Sequence, residues 1–395
     1  MRQKLRNYDF TLIITPILLT AFGIVMIYSA SMVIAVVEGH ESTYYLFKQL
    51  QWFVLGLTGF IICSIFPYRY YQKLIKLIIL FVILLLIGLF FFGTNVNNAK
   101  SWYVFGPISL QPAEFAKLGL VLYLASVYSK KQAYINEFSK AVLPPLILSG
   151  IILGLIVMQP DLGTAFIIFV IACSVIFSSG VRFKHLFILI GIGVAILAVA
   201  VPKMVTDVRI ARFTGAYQPF QTPDTGGYHL IQSYLAIGGG GLTGEGLGQS
   251  VQKLGYLMEA HTDFIMAIIA EELGFAGVII VIGMIATIVL RGMFISRKCK
   301  DSFGALLAIG ISTMVGIQAF VNLGAISGVL PITGVTLPFV SYGGSSLLVL
   351  MISMGILNNI AMSVKKEEHE TEPGKSERHM GKVVKHTRGG KTWVN

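Results

Sequence analysis

Long apolar segments recur along almost the whole chain, and they restrict it to one class of fold. Ten segments reach the roughly 17–25 residues that an α-helix needs to cross a lipid bilayer. Because the hydrocarbon region offers no water to unpaired backbone groups, such segments span it as helices. With 55% hydrophobic and 12% charged residues among 395, the sequence predicts an all-α polytopic membrane protein with about ten transmembrane helices.

The predicted spans are joined by short connections except at one place. The 202–262 connection, between the seventh and eighth spans, is too long for a simple linker in a compact membrane domain. Its 228–237 part predicts a short amphipathic helix, and its 238–248 part is rich in glycine, which lets backbone approach a ligand or another helix closely. The spans lie near 11–34, 47–66, 74–93, 111–128, 141–158, 162–179, 186–201, 263–290, 304–328 and 343–363.

Basic residues are distributed so unevenly that they orient the chain. Of the 30 lysines and arginines, 23 fall in the N-terminus, the C-terminal segment and the connections on one side of the predicted helices. Since positive charge collects on the cytoplasmic side, both termini are predicted to be cytoplasmic and the 202–262 loop extracellular. The net charge of +11 therefore indicates membrane topology, and no nucleic-acid partner is expected. Residues 1–363 form the membrane domain, and the polar 364–395 segment predicts a disordered cytoplasmic tail.

The cysteines and the N-terminus exclude several other classes of protein. Cys63, Cys173 and Cys299 form neither a disulfide framework nor a CxxC pair, so no metal-ligand motif is present and no protein metal site is predicted. The first apolar segment is too long for a signal peptide and is followed by no small-residue cleavage site, which predicts an uncleaved first helix.

One acid stands out in the stretch AHTDFIMAIIAEELG at 260–274. Asp263 lies where a polar turn enters the eighth span, and a carboxylate there must be solvated, paired or protonated. Thr262 is predicted to cap a helix that begins near Asp263. Helical geometry puts Glu271 about 80° and Glu272 about 180° from Asp263, so only Glu271 could share its cavity. The alternative is a capping box that merely ends the loop.

A second pair of charged residues lies inside the fourth span. Glu114 and Lys117 are three residues apart and hence neighbours on one helix face, so we expect them to pair. The pair could lock helices together as a structural ion pair, or it could handle substrate directly. Asp161, between the fifth and sixth spans, is predicted to cap the sixth helix.

Two outer loops carry further candidates for binding. Lys100 and Trp102 lie in the second outer loop, where the tryptophan is either an interfacial anchor or the apolar wall of a sugar site. The last outer loop, VLPITGVTLPFVSYGGSS, contains Ser341 and Tyr342 in backbone that proline and glycine make irregular. At membrane depth such backbone persists only where it is buried in protein or lines a wet cavity.

Six motifs taken together resemble the SEDS family of bacterial shape, elongation, division and sporulation proteins. The resemblance covers about residues 9–364 and is strongest to the division member of a Gram-positive bacterium, although elongation and sporulation members share the motifs. It departs at Met258, where the family often has proline, and at Met266, often phenylalanine. The motifs are KSW at 100–102, QPAEFAKL at 111–118, QPDLGTA at 159–165, GLGQS at 246–250, AHTDFIMAIIAEELG and LPFVSYGGSS.

The resemblance implies a peptidoglycan glycosyltransferase that polymerises lipid II into β-1,4 glycan strands at the outer face of the bacterial cytoplasmic membrane, at the division septum. It implies Asp263 as the essential catalytic carboxylate, which would accept the proton of the attacking hydroxyl, with Trp102 near the site and Glu114–Lys117 as a buried pair. Implied partners are lipid II, a class B penicillin-binding protein and other division proteins, while the need for a divalent cation stays open. Further substrate-binding candidates, several of them to hold the charge of the departing pyrophosphate, are Lys100, Arg209, Arg212, Lys253, Ser341 and Tyr342.

Two other functions are compatible with the same residues. A lipid II flippase would use intramembrane charges such as Glu114 and Lys117 to line a path across the bilayer. A scaffold for division proteins would leave the loop motifs without a role. The location of the polar residues separates these readings, because an enzyme gathers them at one face and a flippase spreads them across the membrane. Here nearly all candidates lie on the predicted outer side.

Overall fold

The computed structural model describes residues 7–371, with gaps at 97–98, 107, 136, 183, 186, 189, 192 and 195–206. The helices are α1 (Phe10–Val37), α2 (Tyr44–Ile65), α3 (Arg69–Phe92), α4 (Pro112–Lys130), α5 (Leu143–Met158), α6 (Leu162–Ser178), α7 (Asp207–Tyr217), α8 (Tyr228–Gly239), α9 (Ile265–Lys298), α10 (Ser302–Ile326) and α11 (Gly344–Thr371). The strands are β1 (Thr94–Val96), β2 (Ala99–Phe105) and β3 (Ile108–Leu110).

Most predicted spans coincide with a helix. Within the described residues, seven helices are long and apolar enough to cross a membrane, and α6 is a shorter apolar helix. The fourth predicted span corresponds to α4, which carries Glu114 and Lys117. The predicted span at 186–201 lies largely outside the described residues. The helices α10 and α11 form the centre of the bundle, since 67% and 78% of their apolar windows are buried, against 17% for α2.

The fold is mostly helical, as predicted, and the second outer loop is an exception to the all-α class. This loop folds into a small antiparallel sheet in the order β1-β2-β3, with Thr94 opposite Trp102 and Tyr103 opposite Leu110. The run of aromatic and β-branched residues at the end of β2 favours a strand. Tyr103 is buried and its hydroxyl donates to the carbonyl oxygen of Leu85 at 2.9 Å, which attaches the sheet to α3.

The start of α1 and the end of α11 meet at one end of the bundle, here called the basic end. The buried Asp9 carboxylate accepts from Arg291 Nη2 at 2.7 Å and lies 3.7 Å from Lys365 Nζ. Lys298, the last residue of α9, pairs with Glu368 at 2.8 Å. Asp263 precedes the opposite end of α9, so it lies at the other end of the bundle, here called the loop end.

The prediction that disorder begins at residue 364 is wrong for residues 365–371. The helix α11 continues to Thr371, and beyond the membrane domain it is held by ion pairs to two other helices, Arg69–Glu367 at 3.5 Å and Lys298–Glu368. Lysine and glutamate are good helix formers, so the polar sequence continues the helix once these partners are available. The remainder of the predicted tail lies outside the described residues.

The backbone of the glycine-rich loop segment forms hydrogen bonds with α9 at the point where that helix is interrupted. Gly274 has φ 64° and ψ −162°, so the carbonyls of Glu271 and Glu272 lose their helical partners. They accept instead from the N–H groups of Glu245 and Gly246 at 2.9 and 3.0 Å, while Phe275 N donates to Gly241 O at 3.0 Å. A Cβ on Gly244 would lie 2.2 Å from Glu272 O, which explains the glycine there. The glycines thus serve close approach to another helix, one of the two roles predicted for them.

Candidate active site

Asp263 lies in a tight polar turn immediately before α9. The helix begins at Ile265 and Phe264 is its N-cap without a side-chain cap bond, so the prediction that Thr262 caps the helix is wrong. Thr262 Oγ1 instead lies 3.1 Å from Asp263 Oδ1 and 2.8 Å from Glu259 Oε2. A hydroxyl has a single proton, so it serves only one of these carboxylates at a time. Glu259 adopts φ 56°, a left-handed conformation that non-glycine residues seldom take unless their surroundings impose it.

The electrostatic environment of Asp263 keeps it close to its protonation midpoint. Burial raises the pKa of Asp263 to about 7, and the neighbouring Glu259 carboxylate contributes to the increase, while Thr262 and Arg212 oppose it. The side chain is only partly exposed. Among the described side chains, no lysine or arginine lies within ion-pair distance of it. A carboxylate in this state can take up a proton at neutral pH.

An aromatic cluster flanks the turn. The ring of His261 lies 4.5 Å from Tyr45 and 5.5 Å from Tyr342, measured between centroids, and Tyr342 N donates to His261 O at 2.9 Å. Burial lowers the pKa of His261 and raises the pKa of Tyr342 to about 12, so both side chains are neutral at pH 7. Of the three, only Tyr342 was among the predicted site residues. Tyr45 lies on α2 and belongs to none of the motifs, so only the fold places its ring beside His261.

The long loop contributes two helices to the surroundings of Asp263. The helix α8 confirms the short helix predicted at 228–237, and its His229 ring lies 6.1 Å from the ring of Phe264. Arg212, exposed on α7, is close enough to lower the pKa of both Asp263 and His229. Arg209 lies on the same helix, but its side chain is outside the described part of the structure. The structure therefore brings Arg212 towards Asp263.

Two amide side chains on α10 connect Asp263 to the rest of the loop end. Asn322 Nδ2 donates to Asp263 O and to Val335 O, both at 2.7 Å. One turn earlier, Gln318 Oε1 accepts from Lys117 Nζ at 2.8 Å and Gln318 Nε2 donates to Thr336 O at 3.1 Å. Neither residue was among the predicted site residues. Two amides one turn apart in an otherwise apolar span were the available signal, because such groups require partners.

Glu114 and Lys117 form an ion pair of 2.8 Å in which both side chains are buried. Lys117 also donates to Gln318, so the pair is connected to the last outer loop. Asp161 caps α6 by accepting from Thr164 N at 3.1 Å, as predicted, and it also accepts from Gln111 Nε2 at 3.2 Å.

The prediction that Lys253 holds substrate charge is wrong. Lys253 is buried, with its Nζ 2.7 Å from Glu272 Oε1 and 2.9 Å from Ser29 Oγ. A buried ammonium with these two partners is not available to a pyrophosphate. Glu271 is likewise engaged, because it accepts from Ser250 Oγ and from Val251 N. It binds the loop rather than sharing a cavity with Asp263, since the loop folds back over this face of α9.

The remaining predicted residues lie at the loop end but are less closely connected to Asp263. Lys100 is exposed and Trp102 partly exposed on β2. Among the described residues, no hydrogen bond, ion pair or ring contact joins either of them to Asp263. Ser341 is buried, and its Oγ accepts from Leu337 N at 2.7 Å, which indicates a role in holding the last outer loop.

The described residues contain no group of three or more histidine, cysteine, aspartate or glutamate side chains placed to hold a metal ion. The described surroundings of Asp263 include neutral aromatic side chains and an exposed arginine, and the carboxyl group itself is near its protonation midpoint at pH 7.

The chain is similar to proteins of bacterial cell wall synthesis. The probable peptidoglycan glycosyltransferase FtsW of Bacillus subtilis (strain 168) is 49% identical over 380 residues, which cover 94% of each chain. Stage V sporulation protein E of the same organism is 37% identical, covering 91% of this chain and 99% of its own.

Solved structures show the same fold. A chain of the complex described as "Structural coordination of polymerization and crosslinking by a peptidoglycan synthase complex" matches with a TM-score of 0.73 and 28% identity, covering 90% of this chain and 98% of that one. The rod shape determining protein RodA of Thermus thermophilus matches with a TM-score of 0.67 and 28% identity, covering 90% and 96%. Together with the match of residues 9–366 to the FTSW_RODA_SPOVE cell cycle protein family, these findings show that the chain is a multi-pass membrane protein that belongs to this family.

Proposed function

We propose that this chain is a peptidoglycan glycosyltransferase that polymerises lipid II into β-1,4 glycan strands at the outer face of the cytoplasmic membrane. The observation that carries the proposal is the state of Asp263. It is a carboxylate without an ion-pair partner among the described side chains, and its pKa is raised to about 7 in a turn at the loop end of the bundle. A general base with a pKa near the working pH is the group that a hydroxyl nucleophile requires.

The mechanism is a single inverting displacement. Asp263 accepts the proton of the 4-hydroxyl of the acceptor N-acetylglucosamine while that oxygen attacks C1 of the donor N-acetylmuramic acid. The new oxygen–carbon bond forms as the bond from C1 to the phosphate oxygen breaks, and the electron pair leaves with undecaprenyl pyrophosphate. Attack from the opposite face converts the α-linked donor into a β-1,4 bond. Because pyrophosphate is a good leaving group, no separate acid is needed.

Arg212 is the residue best placed to bind the charge of the leaving group. It is exposed on α7, and its positive charge opposes the rise in the pKa of Asp263, which supports a role in binding anionic groups on this side of the loop end. Arg209 on the same helix and Lys100 on β2 are further candidates for the outer part of the pyrophosphate and the headgroup. Tyr342 supplies a neutral wall beside Asp263, and Trp102 a face on which a sugar ring can stack.

We further propose that the basic end faces the cytoplasm and the loop end the outside. The asymmetry of lysine and arginine supports this orientation, as does the meeting of Tyr8, Asp9 and Lys365 at one end of the bundle. In a variant without the three native cysteines, Thr225→Cys should react with an impermeant maleimide on intact protoplasts. Ser302→Cys should react only after permeabilisation. The reverse pattern of labelling would overturn the orientation and, with it, the mechanism.

The similarity of the relatives supports assignment to the division machinery at the septum, with a class B penicillin-binding protein as partner. The first relative described above is named for the division protein, and one solved relative belongs to a synthase complex that coordinates polymerization with crosslinking. Lipid II is the substrate on this assignment, and other division proteins are further partners.

The decisive experiment supplies purified protein with labelled lipid II, with and without a cognate class B penicillin-binding protein. A ladder of glycan strands is expected, and the Asp263→Asn variant should form none. Absence of a ladder in both conditions would contradict the proposal. In vesicles, movement of lipid II between leaflets without glycan formation would instead favour the flippase. The described buried charges do not support such a transport path, because Glu114 and Glu272 are each paired with a lysine.

A further inference from the structure

The turn that carries Asp263 is attached to the centre of the bundle through Asn322. Asn322 is buried on α10, and both hydrogens of Nδ2 are used, one on Asp263 O and one on Val335 O, each at 2.7 Å. The reversed amide would point its oxygen at two carbonyl oxygens, so these contacts determine the orientation of the side chain. The direction in which Asn322 holds the Asp263 backbone is therefore fixed.

This attachment leaves one polar atom of Asn322 unpaired, which lowers the stability of the fold. With Nδ2 engaged, Asn322 Oδ1 is buried and has no hydrogen-bond partner in the described part of the structure. A buried acceptor without a partner destabilises a fold, and this loss offsets part of the stability that the two donated bonds contribute. Asn322 thus leaves one of its own polar atoms unpaired while it holds two backbone carbonyls, which directs attention to the groups that Nδ2 binds.

The neighbouring amide shows that the attachment is part of a longer connection. Gln318, one turn earlier on α10, binds Thr336 O and Ser346 Oγ, at 3.1 and 3.2 Å, and it accepts from Lys117. The two amides thus hold consecutive residues of the last outer loop, Val335 and Thr336. Asp263, that loop and the buried ion pair of α4 are set at fixed distances from the same face of α10.

We propose that Asn322 is a positioning residue, which holds the Asp263 turn against the last outer loop so that the carboxylate meets the acceptor hydroxyl. This inference rests on the proposed function. Because the anchored atom is the carbonyl of Asp263 itself, loss of the contact moves the carboxylate directly. A displacement of about 1 Å at a reacting group can reduce the rate by about two orders of magnitude.

The test compares Asn322→Leu with a matched control at the basic end. Asn359 is also a buried asparagine with two backbone contacts, donating to Ser64 O at 2.7 Å and accepting from Tyr68 N at 2.9 Å. Both leucine variants should lower the melting temperature in detergent to a similar extent. Only Asn322→Leu should lower kcat for glycan formation, by about 10- to 100-fold with KM changed by less than about threefold, whereas Asn359→Leu should keep kcat within about threefold.

A second variant covers the case in which Asn322→Leu does not fold. In Asn322→Thr the hydroxyl can donate to the carbonyl four residues earlier, so no buried donor is left unpaired, yet it cannot bind Asp263 O and Val335 O together. The same loss of kcat is expected. Normal kcat in the folded variant, a similar loss in Asn359→Leu, or a rise in KM at unchanged kcat would each overturn the inference. If the wild-type protein forms no glycan, it is the proposed function that fails.

Discussion

Asp263, in the turn before α9, and Glu272, in the loop-end half of that helix, are both acids, yet their surroundings differ sharply. Glu272 is fully buried, pairs with Lys253 at 2.7 Å and accepts from Ser29 Oγ at 2.6 Å. Among the described side chains, Asp263 has the hydroxyl of Thr262 and a second carboxylate nearby and no cation within ion-pair distance. A buried charge with partners contributes to structure, whereas a carboxylate left without a cation is available for proton transfer.

The comparison explains why adjacent polar residues of one motif differ in role. The Lys253–Glu272–Ser29 cluster joins the long loop, α9 and α1, and Glu271 binds the next part of the loop through Val251 N at 2.8 Å. These contacts hold the loop end together and leave Asp263 as the acid of this segment that the loop does not neutralise.

The largest effect is expected from Asp263→Asn. Turnover should fall by about 10²–10⁴-fold, because the general base is lost while the size of the side chain is kept. The variant should nevertheless be as stable as the wild type at pH 8, or more stable. Glycan formation and melting temperature, measured on the same purified protein, check both parts.

The pH dependence of stability provides the control for that variant. The pKa of Asp263 is raised to about 7 in the folded protein, above the value of about 3.9 for an unfolded aspartate. Ionisation of Asp263 therefore destabilises the folded protein, and the free energy of unfolding decreases as pH rises from about 4 to about 7. The asparagine variant escapes this loss, so the difference in melting temperature should vanish below about pH 4 and be largest above pH 7. A variant that melts lower than wild type at pH 8 would contradict the assigned environment.

An intermediate effect is expected from breaking the ion pair between Lys253 and Glu272. Lys253→Met or Glu272→Gln alone leaves a buried group without its partner, at a cost of about 3–5 kcal/mol in the free energy of unfolding. The double variant should cost less than the sum of the two. A double-mutant cycle of unfolding measures the coupling, and additive losses would show that the two residues do not act as a pair.

The smallest effect concerns the pH profile of turnover. The wild-type acid limb should have its midpoint near pH 7, since Asp263 must be ionised to accept a proton. Removing the negative charge in Glu259→Gln should move that midpoint to lower pH, and removing the positive charge in Arg212→Gln should move it to higher pH. Both residues are exposed, so each shift should stay below about one pH unit and decrease in high salt. Shifts in the same direction would contradict the arrangement.

Much of this protein followed from the sequence alone, for reasons that are local in the chain. Apolar length predicts spans because a helix rises about 1.5 Å per residue against a bilayer of fixed thickness. The spacing of Glu114 and Lys117 predicts an ion pair because residues three apart share a helix face, and Asp161 is a helix cap for an equally local reason. Asp263 stood out by its position at the entrance to an apolar span, its catalytic role was implied by the resemblance to the SEDS family, and that role stays a prediction.

The partners of the buried polar groups were decided only by the tertiary structure. Lys253 was predicted to bind substrate, but its partner Ser29 lies 224 residues away in sequence, and Asn322 reaches Asp263 across 59 residues. Local sequence shows that a polar group in an apolar span needs a partner, yet the identity of that partner depends on how distant helices pack. For the same reason the break at Gly274, which exchanges helical hydrogen bonds for bonds to the glycine-rich loop, required the folded bundle to be recognised.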